Sequence, residues 1–244
     1  MTSPEGLLDY DNRTGRPSGR VLRVLGRVLP GVARVRAQVD PYADTWRARN
    51  AEAVRRPGRR WIVLGDSMAQ GVGASSVDGG WVGHLADLLG DEAPPNVVNL
   101  SATGARALDV LDQQLPVLAA LPPAPGPDAG PDLVTVMIGS NDLFGGRALR
   151  DALPASFRRL LDALPDGAVV TTLPQPAAAA EGANRHVEAG VRRGRLWMVD
   201  MRTAGPQSWS GRLAPDFFHP NDAGYAAIAE AFEPVVRQAL AENT

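Results

Sequence analysis

WIVLGDSMAQGVG, Trp61 to Gly73, is the stretch on which the fold of this chain turns. Its first four residues, Trp61–Leu64, are apolar without alternation, as in a strand covered on both faces rather than one. The run passes directly into Gly65-Asp66-Ser67, and Gly71 and Gly73 then allow a tight turn toward a helix. The pattern repeats downstream. Val97–Leu100, Leu133–Ile138, Val169–Thr172 and Leu196–Val199 are short apolar runs rich in β-branched residues. Helical periodicity lies between them near 81–90, 105–119, 148–164 and 181–193, and again over about 222–241. Strands alternating with helices predict a five-stranded parallel sheet covered on both sides. Right-handed crossovers make that a three-layer α/β/α domain.

In such folds ligands bind beyond the carboxyl ends of the strands. Polar residues follow three of these runs at once: Gly65-Asp66-Ser67, Ser101-Ala102-Thr103-Gly104 and Gly139-Ser140-Asn141-Asp142. Ser67 has two readings, a helix cap or a nucleophile, and the second requires a base. The chain has three histidines. His84 and His186 fall inside predicted helices. His219 stands before the last helix with Asp216 three residues upstream, a spacing that lets the carboxylate face one ring nitrogen while the other faces Ser67. Backbone N–H groups of Ser67 and Gly104 and the amide of Asn141 are the candidate donors to an oxyanion. Asp66 and Asp142 read as carboxylates that tie their loops. The absence of a His-Glu-x-x-His pattern or other ligand spacing predicts no metal, and Gly71-x-Gly73 is too short for a dinucleotide fingerprint, so no cofactor is expected.

Four blocks in this order resemble the SGNH, or GDSL-type, hydrolase superfamily of esterases and lipases: Gly65-Asp66-Ser67, Gly104, Gly139-Ser140-Asn141-Asp142 and Asp216-x-x-His219. The resemblance spans about residues 61–240. It implies a flavodoxin-like strand order and acyl-ester hydrolysis through an acyl-enzyme. It also implies Ser67 as nucleophile, Gly104 and Asn141 as oxyanion donors, and Asp216 and His219 as the proton-handling pair. A small-molecule acyl ester is the expected substrate. An acyltransferase or carbohydrate deacetylase would use the same residues, and an idle acyl-binding module is a third reading.

The net charge of −2 conceals two unequal halves. Residues 1–60 carry 13 Arg against 6 acidic residues, whereas residues 61–244 carry 12 against 21. Lysine and cysteine are both absent, which excludes disulfides and thiolate chemistry. Residues 1–60 are expected to form a basic helical extension on a catalytic domain of residues 61–244. Within the extension, residues 1–19 read as disordered. Residues 20–38 read as a helix that Pro30-Gly31 should kink or divide, with Arg20, Arg23, Arg27 and Arg34 on one side and Leu22, Leu25, Leu29 and Val32 on the other. A second helix is expected over 43–54. The amphipathic stripe has three readings: packing on the catalytic domain, peripheral contact with an anionic membrane, and nucleic-acid binding, the last unsupported by aromatic interleaving. Nothing in the sequence sets an oligomeric state. No apolar run suits a signal peptide or a membrane span, and a cytoplasmic location is the default expectation. The Pro/Gly stretch 122–131 reads as a solvated spacer. The loop 202–215, with Trp209, is the expected specificity element.

Overall fold

The structure is a computed structural model that describes residues 10–16, 29–92, 94, 96–127 and 129–242. Among the described residues, α1 (Pro30–Arg36) and α2 (Val39–Ala53) precede β1 (Arg60–Gly65). A single turn, α3 (Ser67–Gln70), and α4 (Trp81–Leu89) lead to β2 (Asn96–Asn99). The next crossover starts as α5 (Ala107–Asp109), widens into a π turn at Val110–Gln114 and ends as α6 (Leu115–Ala120) before β3 (Leu133–Met137). Then come α7 (Ser140–Phe144), α8 (Arg147–Ala163), β4 (Ala168–Thr171), α9 (Ala178–Arg192), β5 (Leu196–Val199) and α10 (Asp222–Glu242).

All strand pairings are parallel, in the order β2-β1-β3-β4-β5. The chain reverses direction across the sheet between β1 and β3, and there the carboxyl ends open a crevice. Each face of the sheet has its own core. On one, Trp61, Val63 and Val169 meet α4 and α10, where the Trp81 and Phe232 rings stack at 4.3 Å. On the other, Ile62, Leu64, Val134 and Val136 meet Phe157 and Leu160 of α8 and Val187 of α9. Each of these large side chains, once buried, contributes about 1.5–3 kcal/mol. Alternating residues of one strand feed opposite cores, so the sheet has no solvated face.

The extension departs from the expectations in three ways. Helix α2 begins at Val39 rather than at 43, because Pro41 lies in its first turn, where no backbone donor is required. Proline likewise starts α1, which stops at Arg36 rather than at 38, and the extended Leu29 before it puts a break at Pro30, one of the two outcomes expected there. Arg20, Arg23, Arg27, Leu22 and Leu25 lie outside the described residues. Residues 10–16, expected to be disordered, instead run along the edge of the sheet. Asn12, buried with φ at 58°, donates through its amide to the Asn99 and Ser101 carbonyls. Asn50 of α2 also donates to the Asn99 carbonyl and accepts from the Asn99 N–H. Side-chain amides thus fill the outer edge of β2, which a sheet otherwise leaves open. Trp46 and Tyr42 of α2 enter the same core as Trp61 and Trp81.

The 122–131 stretch is not a free spacer. The carbonyls of Pro122, Pro125 and Pro131 accept hydrogen bonds from Arg60, Gly58 and Arg59. Among the described residues, no helix is long and apolar enough to cross a membrane.

Candidate active site

Strand β1 ends where side chains no longer fit. A Cβ on Gly65 would stand 2.5 Å from the Met137 carbonyl oxygen of β3. Gln114, turned inward by the π segment, grips Gly65 from beneath: its Oε1 accepts from the Gly65 N–H at 2.9 Å and its Nε2 donates to the Gly65 carbonyl at 2.8 Å. The strand end is held from two sides, and Ser67 follows two residues later.

Two ties join the loop after Ser67 to the segment of His219, 152 positions away. Tyr225 donates its hydroxyl hydrogen to the Val72 carbonyl at 2.6 Å, and Asp222 accepts from the Ser75 N–H and hydroxyl at 2.6 Å each. Gly73 allows the close approach. A Cβ there would lie 2.7 Å from that of His219 and 2.4 Å from the Pro220 carbonyl oxygen. His219 Nε2 stands 3.0 Å from Ser67 Oγ, and Nδ1 stands 2.6 Å from Asp216 Oδ2. The other oxygen of Asp216 accepts from the Phe218 and His219 N–H groups at 3.1 Å each.

Burial raises the proton affinity of Asp216. The hydrogen bond and charge of His219, with the two N–H groups, outweigh it and leave the carboxyl below its ordinary value. An ionised Asp216 can only accept, so Nδ1 carries the imidazole proton and Nε2 is free to accept from the Ser67 hydroxyl. This chain of contacts can draw a proton off the serine as its oxygen attacks. The sequence brings Ser67, His219 and Asp216 together as expected. His84 sits in α4 and His186 in α9, outside the site.

Asn141, in α7, donates to the Ala105 carbonyl at 2.9 Å and to Asp66 Oδ2 at 3.2 Å. It therefore joins the loop that carries Gly104 to the neighbour of Ser67. Both of its amide hydrogens are engaged, so donation to a third acceptor requires one of these bonds to yield. The N–H groups of Ser67 and Gly104 meet no acceptor among the described residues. Asp66 also accepts from the Met68 N–H at 3.0 Å, and Asp142 accepts from the Ala107 N–H at 3.0 Å, so both tie loops. The Asp66–Asn141 bond was not foreseen, and neither were Gln114 or Gln70. The latter is buried and binds the Asn12 and Ser101 carbonyls and the Thr103 hydroxyl. Its position in the short turn after Ser67 was the available signal.

Burial pushes the Asp66 carboxyl up to about 6, against the Met68 N–H and the charge of His219. An unfolded aspartate ionises near ~3.9. Between those values the native chain holds a proton that the unfolded chain has released. The associated stability is complete below ~4 and is lost as the pH rises through ~6, a change of about 3 kcal/mol. Asp66→Asn removes this titration. Urea unfolding of the wild type should weaken relative to the variant from pH ~4 to ~6.5, and a constant difference between the two would refute the buried titration.

Among the described residues, no group of three His, Cys, Asp or Glu side chains is placed to hold a metal ion. Residues 63–227 match the model of the GDSL-like Lipase/Acylhydrolase family. Solved structures share the fold. TesA is 22% identical with a TM-score of 0.55, over 74% of this chain and 99% of its own. The family 3 carbohydrate esterase of Clostridium thermocellum is 17% identical with a TM-score of 0.57, over 77% and 100%. A member of the lipolytic protein G-D-S-L family from Veillonella parvula is 17% identical with a TM-score of 0.54, over 74% and 100%. No curated protein matches the chain. With the family model covering well over half of its length, this chain belongs to the GDSL-like lipase/acylhydrolase family.

Proposed function

We propose that the protein hydrolyses carboxylic esters through an acyl-enzyme on Ser67, with catalysis assigned to residues 61–244 and residues 1–60 as an extension. The observation that carries this reading is the unbroken line from Ser67 Oγ to His219 to Asp216, at 3.0 and 2.6 Å. Ser67 Oγ attacks the carbonyl carbon as its proton passes to His219 Nε2, and Asp216 stays ionised against the imidazolium. The N–H groups of Ser67 and Gly104 and the Asn141 amide receive the negative oxygen. Collapse breaks the bond to the alcohol, which leaves with the proton from His219. Water then gives a proton to His219 and attacks the acyl carbon, and Ser67 recovers its hydrogen as the acid departs.

The surroundings favour an apolar acyl group. Phe144, Phe217 and Phe218 are exposed, and Phe218 meets Phe144 and His219 edge-on at 6.0 and 5.0 Å. Phe217 holds its exposed ring with φ at 58°, a conformation costly for a bulky residue. Such hydrocarbon beside a reacting centre marks a contact surface.

The test is pre-steady-state hydrolysis of nitrophenyl acetate and octanoate. A burst of nitrophenol equal to the enzyme present should precede slower turnover, and no release from either ester defeats the proposal. Phe218→Ser should lower kcat/KM for octanoate about tenfold more than for acetate. Equal effects on both esters would remove Phe218 from the acyl surface.

A further inference from the structure

Residues 10–16 precede the family-matched region and nonetheless reach its catalytic loop. Arg13 forms a parallel bridge with Thr103. The Thr14 hydroxyl donates to the Thr103 carbonyl at 3.4 Å. Arg16 donates through Nη2 to the Gly104 carbonyl at 2.9 Å, while its guanidinium grips Asp109 through both Nη1 and Nη2. Asp109 in turn accepts from the Arg106 N–H at 2.7 Å. Both peptide carbonyls that flank Gly104 are therefore held by one short segment from the start of the chain.

Gly104 needs holding. Its φ is +79°, and nothing lies within 4 Å of the position a Cβ would take, so packing does not brace it on that side. A glycine so placed keeps the widest backbone freedom of any residue. The Thr103 carbonyl and the Gly104 N–H belong to one planar peptide and point in opposite directions. Fixing the first aims the second.

We propose that Thr14 and Arg16 are positioning residues for catalysis, fixing the direction of the Gly104 N–H from outside the catalytic domain. This rests on the reading of Gly104 as a donor to the oxyanion. Donors of that kind act because they are oriented before charge develops. Loss of the Arg16 grip should leave substrate affinity intact and weaken the grip on the tetrahedral state.

The experiment compares full-length wild type with Arg16→Ala, Arg16→Lys and Thr14→Val, using nitrophenyl acetate and a short alkyl boronic acid that forms a tetrahedral adduct on Ser67. Arg16→Ala should lower kcat about tenfold. KM and the melting temperature should stay unchanged, and boronic acid affinity should fall by the same factor as kcat. Arg16→Lys, able to serve Asp109 or Gly104 but not the full fork, should recover part of both. An unchanged kcat, or a fall in kcat without a matching fall in boronic acid affinity, overturns the proposal. Should Arg16→Ala melt below the assay temperature, Thr14→Val decides, because it keeps its shape and removes the hydroxyl that donates to Thr103 and accepts from the Arg16 N–H. An inactive Ser67→Ala beside a fully active Arg16→Ala would sink this inference alone. A Ser67→Ala variant that keeps its burst and the wild-type kcat would instead remove the reading beneath it.

Discussion

Ser67→Ala is expected to reduce kcat for nitrophenyl acetate by at least about 10⁴-fold, with the burst lost entirely. The side chain is buried beside His219, and alanine fits its space, so the fold should be unaffected. What disappears is the hydroxyl oxygen 3.0 Å from His219 Nε2. The remaining donors could still polarise a bound ester for attack by water, which accounts for a residual rate above background. The measurement is single-turnover kinetics beside a melting curve. A variant that melts like the wild type and retains its burst would show that the acyl group is carried elsewhere. His219→Ala should fall about as far, because nucleophile and base act as one unit and their losses do not add.

The second large effect concerns Asn141. Asn141→Ala should lower kcat by on the order of 10²–10³ with little change in KM, the result expected when an oxyanion donor is removed. The structure adds a condition. The Asn141 amide is already committed to Ala105 and Asp66, so one of those bonds must lengthen as the oxyanion forms. The bond to Asp66 holds the amide in the plane between the two loops, which limits how far it must turn. An unaltered kcat would make Asn141 a tie between loops and leave the oxyanion to the two backbone donors.

Much of this architecture was legible from sequence for a simple reason. Five strands buried on both faces need continuous apolar runs, and Trp61–Leu64 or Leu133–Ile138 admit few other interpretations. The meeting of Ser67, His219 and Asp216 was legible because Asp216 and His219 are three residues apart and the strand-end rule supplied the third partner. The remainder was hidden for reasons equally physical. Helices α3 and α7 are single turns, too short for periodicity to register. Gln114 faces Gly65 because a π turn rotates it there, and nothing in VLDQQ announces that turn. Residues 10–16 are polar and aperiodic, yet ordered. Their order comes from Asn12 and Tyr10, whose hydrogen bonds reach backbone about 90 positions away. A local reading cannot see such partners.

That edge of the sheet bears on how the protein could be shortened. The family match begins at residue 63, but the Asn50 amide, the Asn12 amide and the Trp46 indole, which donates to the Gln70 carbonyl at 3.1 Å, all lie before it. Cutting the chain at the family border would strip the Asn99 backbone and the Gln70 carbonyl of these partners and leave the edge of β2 bare, open to strands of other molecules. The stretch outlined by the family model is shorter than the stretch that closes this edge of the sheet.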